Sequence, residues 1–120
     1  MKKSEKAIEN HKQPMSCSAA VLCAFHEDAE LSEQEAAALA APMAGGKMKK
    51  CGAVLAAETV LARKFGENDA RIAQLDERFT KMNQSLLCEE LRGGLTRKKL
   101  RSCRGCVTDA AEILEELLTE

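Results

Sequence analysis

Tryptophan and tyrosine are absent from the chain, and phenylalanine occurs three times. A core without that aromatic bulk has to be assembled from Ala, Leu, Val, Met and Cys. Basic residues with no aromatics between them also offer no stacking platform to nucleic acid, and a formal net charge of −1 gives no field to hold a polyanion. Nucleic acid is therefore not an expected partner. Long apolar runs are missing too: the basic start Met1–Lys6 has no signal-length apolar stretch behind it, and nothing later approaches the ~20 apolar residues of a membrane span. The expectation is a cytoplasmic protein with no membrane insertion. H-E-x-x-H, G-x-x-x-x-G-K-[ST] and a locally supported Ser/His/Asp order are lacking, so nothing points to hydrolysis or to a phosphate-cradling loop. His11 and His26 leave a Cys/His nucleophile pair open, although neither has a motif around it.

What is present is an ordinary globular composition, 45% hydrophobic and 31% charged over 120 residues, enough for one compact domain spanning 1–120. Residues 1–13 are expected to form a flexible or loosely docked N-terminus. No segment alternates apolar and polar residues for the length of a strand, so the expected class is all-α, a bundle of about five helices with short loops.

Pro14 and Ser16 mark the entry to a first helix over Cys17 to Glu27. Leu31-Ser32-Glu33-Gln34-Glu35 is a capping-box pattern opening a second, which runs to about Ala41 and is stopped by Pro42. After a Gly45-Gly46 loop a third helix runs from Cys51 to Phe65. Gly52, Ala53, Ala56 and Ala57 make one of its sides small, which suits a central position, and Gly66 is its C-cap. Asn68 or Asp69 caps a fourth, longer helix carrying Ile72, Leu75, Phe79, Met82, Leu86 and Leu87 and ending by Gly93-Gly94. The last opens around Ser102 to Cys106 and presents Val107, Ala110, Ala111, Ile113, Leu114, Leu117 and Leu118 at helical spacing.

Six cysteines are the chemically informative residues: Cys17, Cys23, Cys51, Cys88, Cys103 and Cys106. In a reducing compartment such thiols serve more often as metal ligands, redox centres or small core residues than as structural disulfides. Cys17, Cys51 and Cys103 fall at or near helix starts, where free amides and a partial positive charge stabilise a thiolate. Lys47, Lys49 and Lys50 add positive charge beside Cys51, as Arg101 and Arg104 do beside Cys103. Without the cysteine the lysine run would read as a solvated loop. Cys103-Arg104-Gly105-Cys106 is a C-x-x-C at a helix start, in which one thiolate can attack and the other resolve, or both can face one metal. Cys23 reads as core, and local chemistry leaves Cys88 undecided. His11 and His26 sit among polar residues and read as solvent-facing, while Met15, Met43 and Met48 read as gap-fillers.

The order Ser16-Cys17-Ser18-Ala19-Ala20, Gly45-Gly46, Cys51-Gly52-Ala53-Val54, Cys88-Glu89-Glu90-Leu91 and Cys103 leading to Val107-Thr108-Asp109-Ala110-Ala111-Glu112 resembles the bacterial and archaeal redox-active family designated C_GCAxxG_C_C, over nearly the whole chain. Ala56 stands where that pattern has its last glycine, and is still small enough for close helix packing. The resemblance implies that Cys17, Cys51, Cys88 and Cys103 form the characteristic set, with Cys23 and Cys106 additional. Genes of the family often lie near transporter genes, which implies a small-molecule or metal context.

Three readings follow. In a thiol–disulfide oxidoreductase, Cys51 or Cys103 attacks, Lys49, Lys50, Arg101 and Arg104 stabilise its thiolate, and Cys17, Cys88 or Cys106 resolves. In a metal module, Cys17, Cys51, Cys88 and Cys103 hold zinc or an iron–sulfur cluster. In a helical interaction module, the cysteines are only core. The partner is a redox protein or a small molecule of unspecified identity, and the alanine-rich helix faces allow packing within one chain or across a homodimer.

Overall fold

The computed structural model describes residues 2–13, 15–44, 48–91, 93 and 99–119. Pro14, Gly45, Gly46, Lys47 and Gly94, singled out above as a helix entry, a loop, part of the lysine run and a helix stop, lie outside the described residues.

Among the described residues seven α-helices run in chain order: α1 (Lys3–Lys12), α2 (Cys17–Ala24), α3 (Glu33–Ala40), α4 (Gly52–Phe65), α5 (Ala70–Asn83), α6 (Cys88–Leu91) and α7 (Cys103–Thr119). The all-α class stands, with more helices than the expected five. α2 is the innermost element. Every residue of it except Ala19 is buried, as befits a helix that is apolar or small around its whole circumference. α4 and α7 pack against α2 and against each other, α1 lies across α2 and α7, α3 covers α2, and α5 closes over α4 and α7. Val21, Leu22, Val54, Leu61, Val107 and Leu114 interlock in the core with no solvent exposure.

Two differences from the sequence expectations have physical causes. Residues Lys3–Lys12 form a helix that periodicity does not reveal, because the face it buries is mostly polar: of Ser4, Ala7 and Asn10 only Ala7 is apolar, and polar anchors do much of the rest. Lys3 Nζ pairs with Asp28 at 2.6 Å, Ser4 Oγ donates to Glu115 at 2.7 Å, and Asn10 Nδ2 donates to the buried carbonyl of Ala20 at 3.2 Å. The expected long fourth helix is two. Gln84 adopts the left-handed conformation (φ 69) and ends α5, and Ser85 Oγ accepts from the amide of Leu87 at 3.0 Å in a turn that carries the chain into α6.

Elsewhere the local signals operate as read. Ser32 and Glu35 exchange the two capping-box hydrogen bonds, at 3.1 and 2.9 Å. Asp69 is the cap of α5, and Gly66, at φ 114, terminates α4 where a side chain would be strained. The first expected helix ends at Ala24, short of Glu27, and α3 passes at Ala41 into a single 3₁₀ turn that contains Pro42. Among the described residues no helix is long and apolar enough to cross a membrane.

Candidate functional site

Four cysteines stand at the starts of four helices, and main-chain hydrogen bonds draw the starts of α4, α6 and α7 together. Cys17 opens α2 behind Ser16, whose hydroxyl accepts from the Ala19 amide. Cys51 is the residue before α4 and Cys88 the first of α6. Their segments are joined as a short antiparallel bridge, in which the Cys51 amide donates to Leu86 O at 2.7 Å and the Cys88 amide donates to Lys49 O at 2.9 Å. Cys88 therefore begins a helix and does not lie late in a long one. The amides of Leu100 and Arg101 donate to Leu91 O, at 3.0 and 3.2 Å, bringing the approach to α7 against α6. Ser102 then caps α7, accepting from the Gly105 amide at 2.9 Å, with Cys103 first in the helix and Cys106 one turn on.

Cys17, Cys51, Cys88, Cys103 and Cys106 line one cavity of about 20 Å³, walled also by Gly52, Leu91 and Arg101. Cys23 is outside it, its sulfur 3.7 Å from the carbonyl of Glu33 and its thiol pushed up by burial and by the Glu33 charge. None of the six cysteines is in a disulfide. Gly52 explains part of the C-G-A element. A Cβ there would meet Cys17 Sγ at 2.7 Å and Met43 O at 2.9 Å, so α4 approaches the start of α2 this closely only with a bare backbone.

The thiols are paired. Cys106 hydrogen-bonds to Cys51, which lowers the Cys51 pKa against the opposing cost of burial, with the amides of Val54 and Ala53 helping to hold the thiolate. The same bond, then burial, pushes Cys106 up. Cys103 is pushed up first by its hydrogen bond to Cys17 and then by burial. These hydrogen bonds favour the protonated form of Cys106 and of Cys103, and Cys51 is the sulfur of its pair that ionises more readily. Of the five, Cys103 alone is exposed and Cys88 is half-buried, whereas Cys17, Cys51 and Cys106 are 9%, 5% and 3% exposed.

The neighbouring cations do not act as their sequence positions imply. Lys50 is turned away from Cys51, its ammonium held by Glu58 and by Asp76, the latter at 2.9 Å. Lys49 is exposed, and the thiolate at Cys51 owes its stability to a thiol and two amides in place of the lysines. Arg101 lines the cavity, but its guanidinium is bound to the buried Asp109 at 3.0 and 3.3 Å. Gly105 makes room for it, since a Cβ there would lie 2.3 Å from Arg101 Nε. Arg104 reaches His11, whose polar neighbours in the sequence point to a solvent-facing ring. The ring is half-buried, with Nε2 3.7 Å from Cys103 Sγ and Nδ1 accepting from Arg104 Nε at 3.4 Å. His26 is half-buried as well, its Nδ1 2.9 Å from Leu31 O.

The cavity of about 20 Å³ has the room of roughly one water-sized body. Among the described residues no three His, Cys, Asp or Glu side chains are grouped as ligands of one ion. The cysteines as arranged face one another in pairs.

No curated protein and no solved structure matches the chain. The model of the family described as "Putative redox-active protein (C_GCAxxG_C_C)" matches residues 15–117. That span contains all five cavity cysteines and every element from α2 to α6, with most of α7. The chain belongs to the C_GCAxxG_C_C family of redox-active proteins.

Proposed function

We propose that the protein is a dithiol–disulfide exchange protein that reduces an organic disulfide in a reducing compartment, with Cys103 as its outward thiol. The observation that carries this reading is the Cys17–Cys103 pair: an exposed sulfur hydrogen-bonded to a buried one. That combination gives a nucleophile a substrate can reach and a resolving thiol that solvent cannot.

In the reactive form the pair carries one proton, on Cys103. Cys103 Sγ attacks one sulfur of R–S–S–R, the substrate S–S bond breaks as the new one forms, and the electron pair leaves on R–S⁻. The Cys103 proton passes to Cys17 and on to the departing thiolate, giving R–SH. The Cys17 thiolate then attacks Cys103 Sγ and expels the second R–S⁻. One substrate disulfide has been reduced and the Cys17–Cys103 dithiol oxidised. The Cys51–Cys106 pair, buried beside it with Cys51 already inclined to ionise, holds a second pair of reducing equivalents.

The intact native mass of protein purified without air or chelator tests this. The expected result is the bare reduced chain, which on treatment with excess small organic disulfide loses about four mass units, roughly two per disulfide formed, and regains them with a thiol reductant. A mass excess matching zinc or an iron–sulfur cluster, or no loss on treatment, overturns the reading.

A further inference from the structure

His11 lies in α1, before the residues 15–117 that carry the family pattern, yet its ring touches the outward thiol. Arg104 supplies only N–H donors, so His11 Nδ1, which receives the Arg104 Nε hydrogen bond at 3.4 Å, is the bare nitrogen of the ring. A neutral imidazole with a bare Nδ1 carries its proton on Nε2, and Nε2 is the atom 3.7 Å from Cys103 Sγ. The ring therefore presents N–H to that sulfur and is not placed to take its proton. Burial, and then the Arg104 charge, lower the His11 pKa and keep the ring in this neutral form. α1 is fixed by the buried Ala7 and Asn10 and by the Ser4–Glu115 bond, so the imidazole is held in place before any substrate arrives.

We infer that His11 is a catalytic residue of the exchange reaction, its Nε2–H holding negative charge on Cys103 Sγ while Arg104 fixes the tautomer that makes this possible. The inference rests on the thiol-exchange reading above. Cys17 and His11 act on the same sulfur in opposite senses: the Cys17 partner keeps Cys103 protonated, and the imidazole favours its thiolate from the other side. α1 thereby becomes part of the redox centre of this chain, supplying from outside the family pattern a group that the four characteristic cysteines lack.

The test is the rate at which iodoacetamide alkylates Cys103, located by peptide mass, together with the rate of exchange with a small aromatic disulfide. His11→Phe is expected to slow both about tenfold, the effect of losing one hydrogen bond to a charged group. His11→Gln places an amide N–H where Nε2 stood and is expected to stay within about threefold of the parent chain. Arg104→Met is expected to slow alkylation in the parent chain but not further in the His11→Phe background, since Arg104 acts through the ring. Parent-like rates in His11→Phe overturn the inference, as do equal losses in the Phe and Gln variants, which would make the ring a packing element. Should His11→Phe fail to fold, a loss in His11→Gln equal to that in Arg104→Met overturns it as well. Undiminished exchange in Cys103→Ser would instead remove the reading beneath it, whatever the His11 variants do.

Discussion

Cys103→Ser is expected to lose exchange with a small aromatic disulfide by on the order of 100-fold or more, because it removes the nucleophile itself. Cys51→Ser is expected to keep the first turnover and forfeit the second. The contrast comes from exposure: Cys103 is open to a substrate, and Cys51 is buried behind it at 5% exposure. Cys51 carries the more favourable thiolate, which on chemistry alone would make it the attacking sulfur, yet a thiolate that the substrate cannot reach serves only as a partner for another sulfur. Cys17→Ser separates attack from resolution. Cys103 still reacts in that variant, and the mixed disulfide is expected to persist as a chain heavier by one half of the reagent. Stopped-flow absorbance of the released aromatic thiol, with mass analysis of the quenched protein, reads all three. Loss of the first turnover in Cys88→Ser with retention in Cys103→Ser would assign the attack to the wrong helix start and contradict the account.

A second large effect concerns stability. Burial, then the hydrogen bond with Asp76, pushes Glu58 up to about 7 against the opposing pull of Lys50, and its side chain is 17% exposed. The unfolded chain ionises this carboxyl near its ordinary 4.5. Below that value both states hold the proton and the group is neutral toward stability. As pH rises from about 4.5 to about 7, the unfolded state releases the proton first, so the native state loses roughly 3 kcal/mol from this group, and above that range the loss is complete. Lys50 moves the other way: burial lowers its pKa, but Glu58 and Asp76 outweigh burial and raise it, so its contribution persists until strongly alkaline pH. Glu58→Gln is expected to flatten the dependence between pH 4.5 and 7 and to gain on the parent chain across that window. Urea midpoints of the two chains at the two ends of the range give the difference, and parallel curves would show that Glu58 ionises without cost.

Lys50 also shows where sequence reasoning stops. The run before Cys51 looks like a solvated, thiolate-stabilising cluster because its neighbours in the chain are basic, but the carboxylates that capture Lys50 come from α4 and α5. Features governed by neighbours in sequence were legible: the Ser32–Glu35 capping box, the glycine stop at Gly66, and the small face of α4 with fully buried Ala53, Ala56 and Ala57. The identity of Cys17, Cys51, Cys88 and Cys103 as a set came from a pattern, while their meeting depends on hydrogen bonds between Lys49–Cys51 and Leu86–Cys88 that no local signal announces. The break after α5 was hidden because Leu86 and Leu87 continue the helical period. Ser85 was the available clue, a turn-former whose hydroxyl caps its own neighbour. His11 was missed for a related reason: it sits among polar residues, and its partner Cys103 lies at the other end of the chain. Cys106 reads in the sequence as the second thiol of a C-x-x-C, and in the fold its hydrogen-bond partner is Cys51.

The most direct measurement is the disulfide map of the protein oxidised by excess small organic disulfide, quenched in acid and digested without reshuffling. Two cross-linked peptide pairs are expected, Cys17 with Cys103 and Cys51 with Cys106, the first forming before the second, and Cys23 and Cys88 recovered as thiols. A first disulfide between Cys103 and Cys106, or one that includes Cys88, would contradict this pairing.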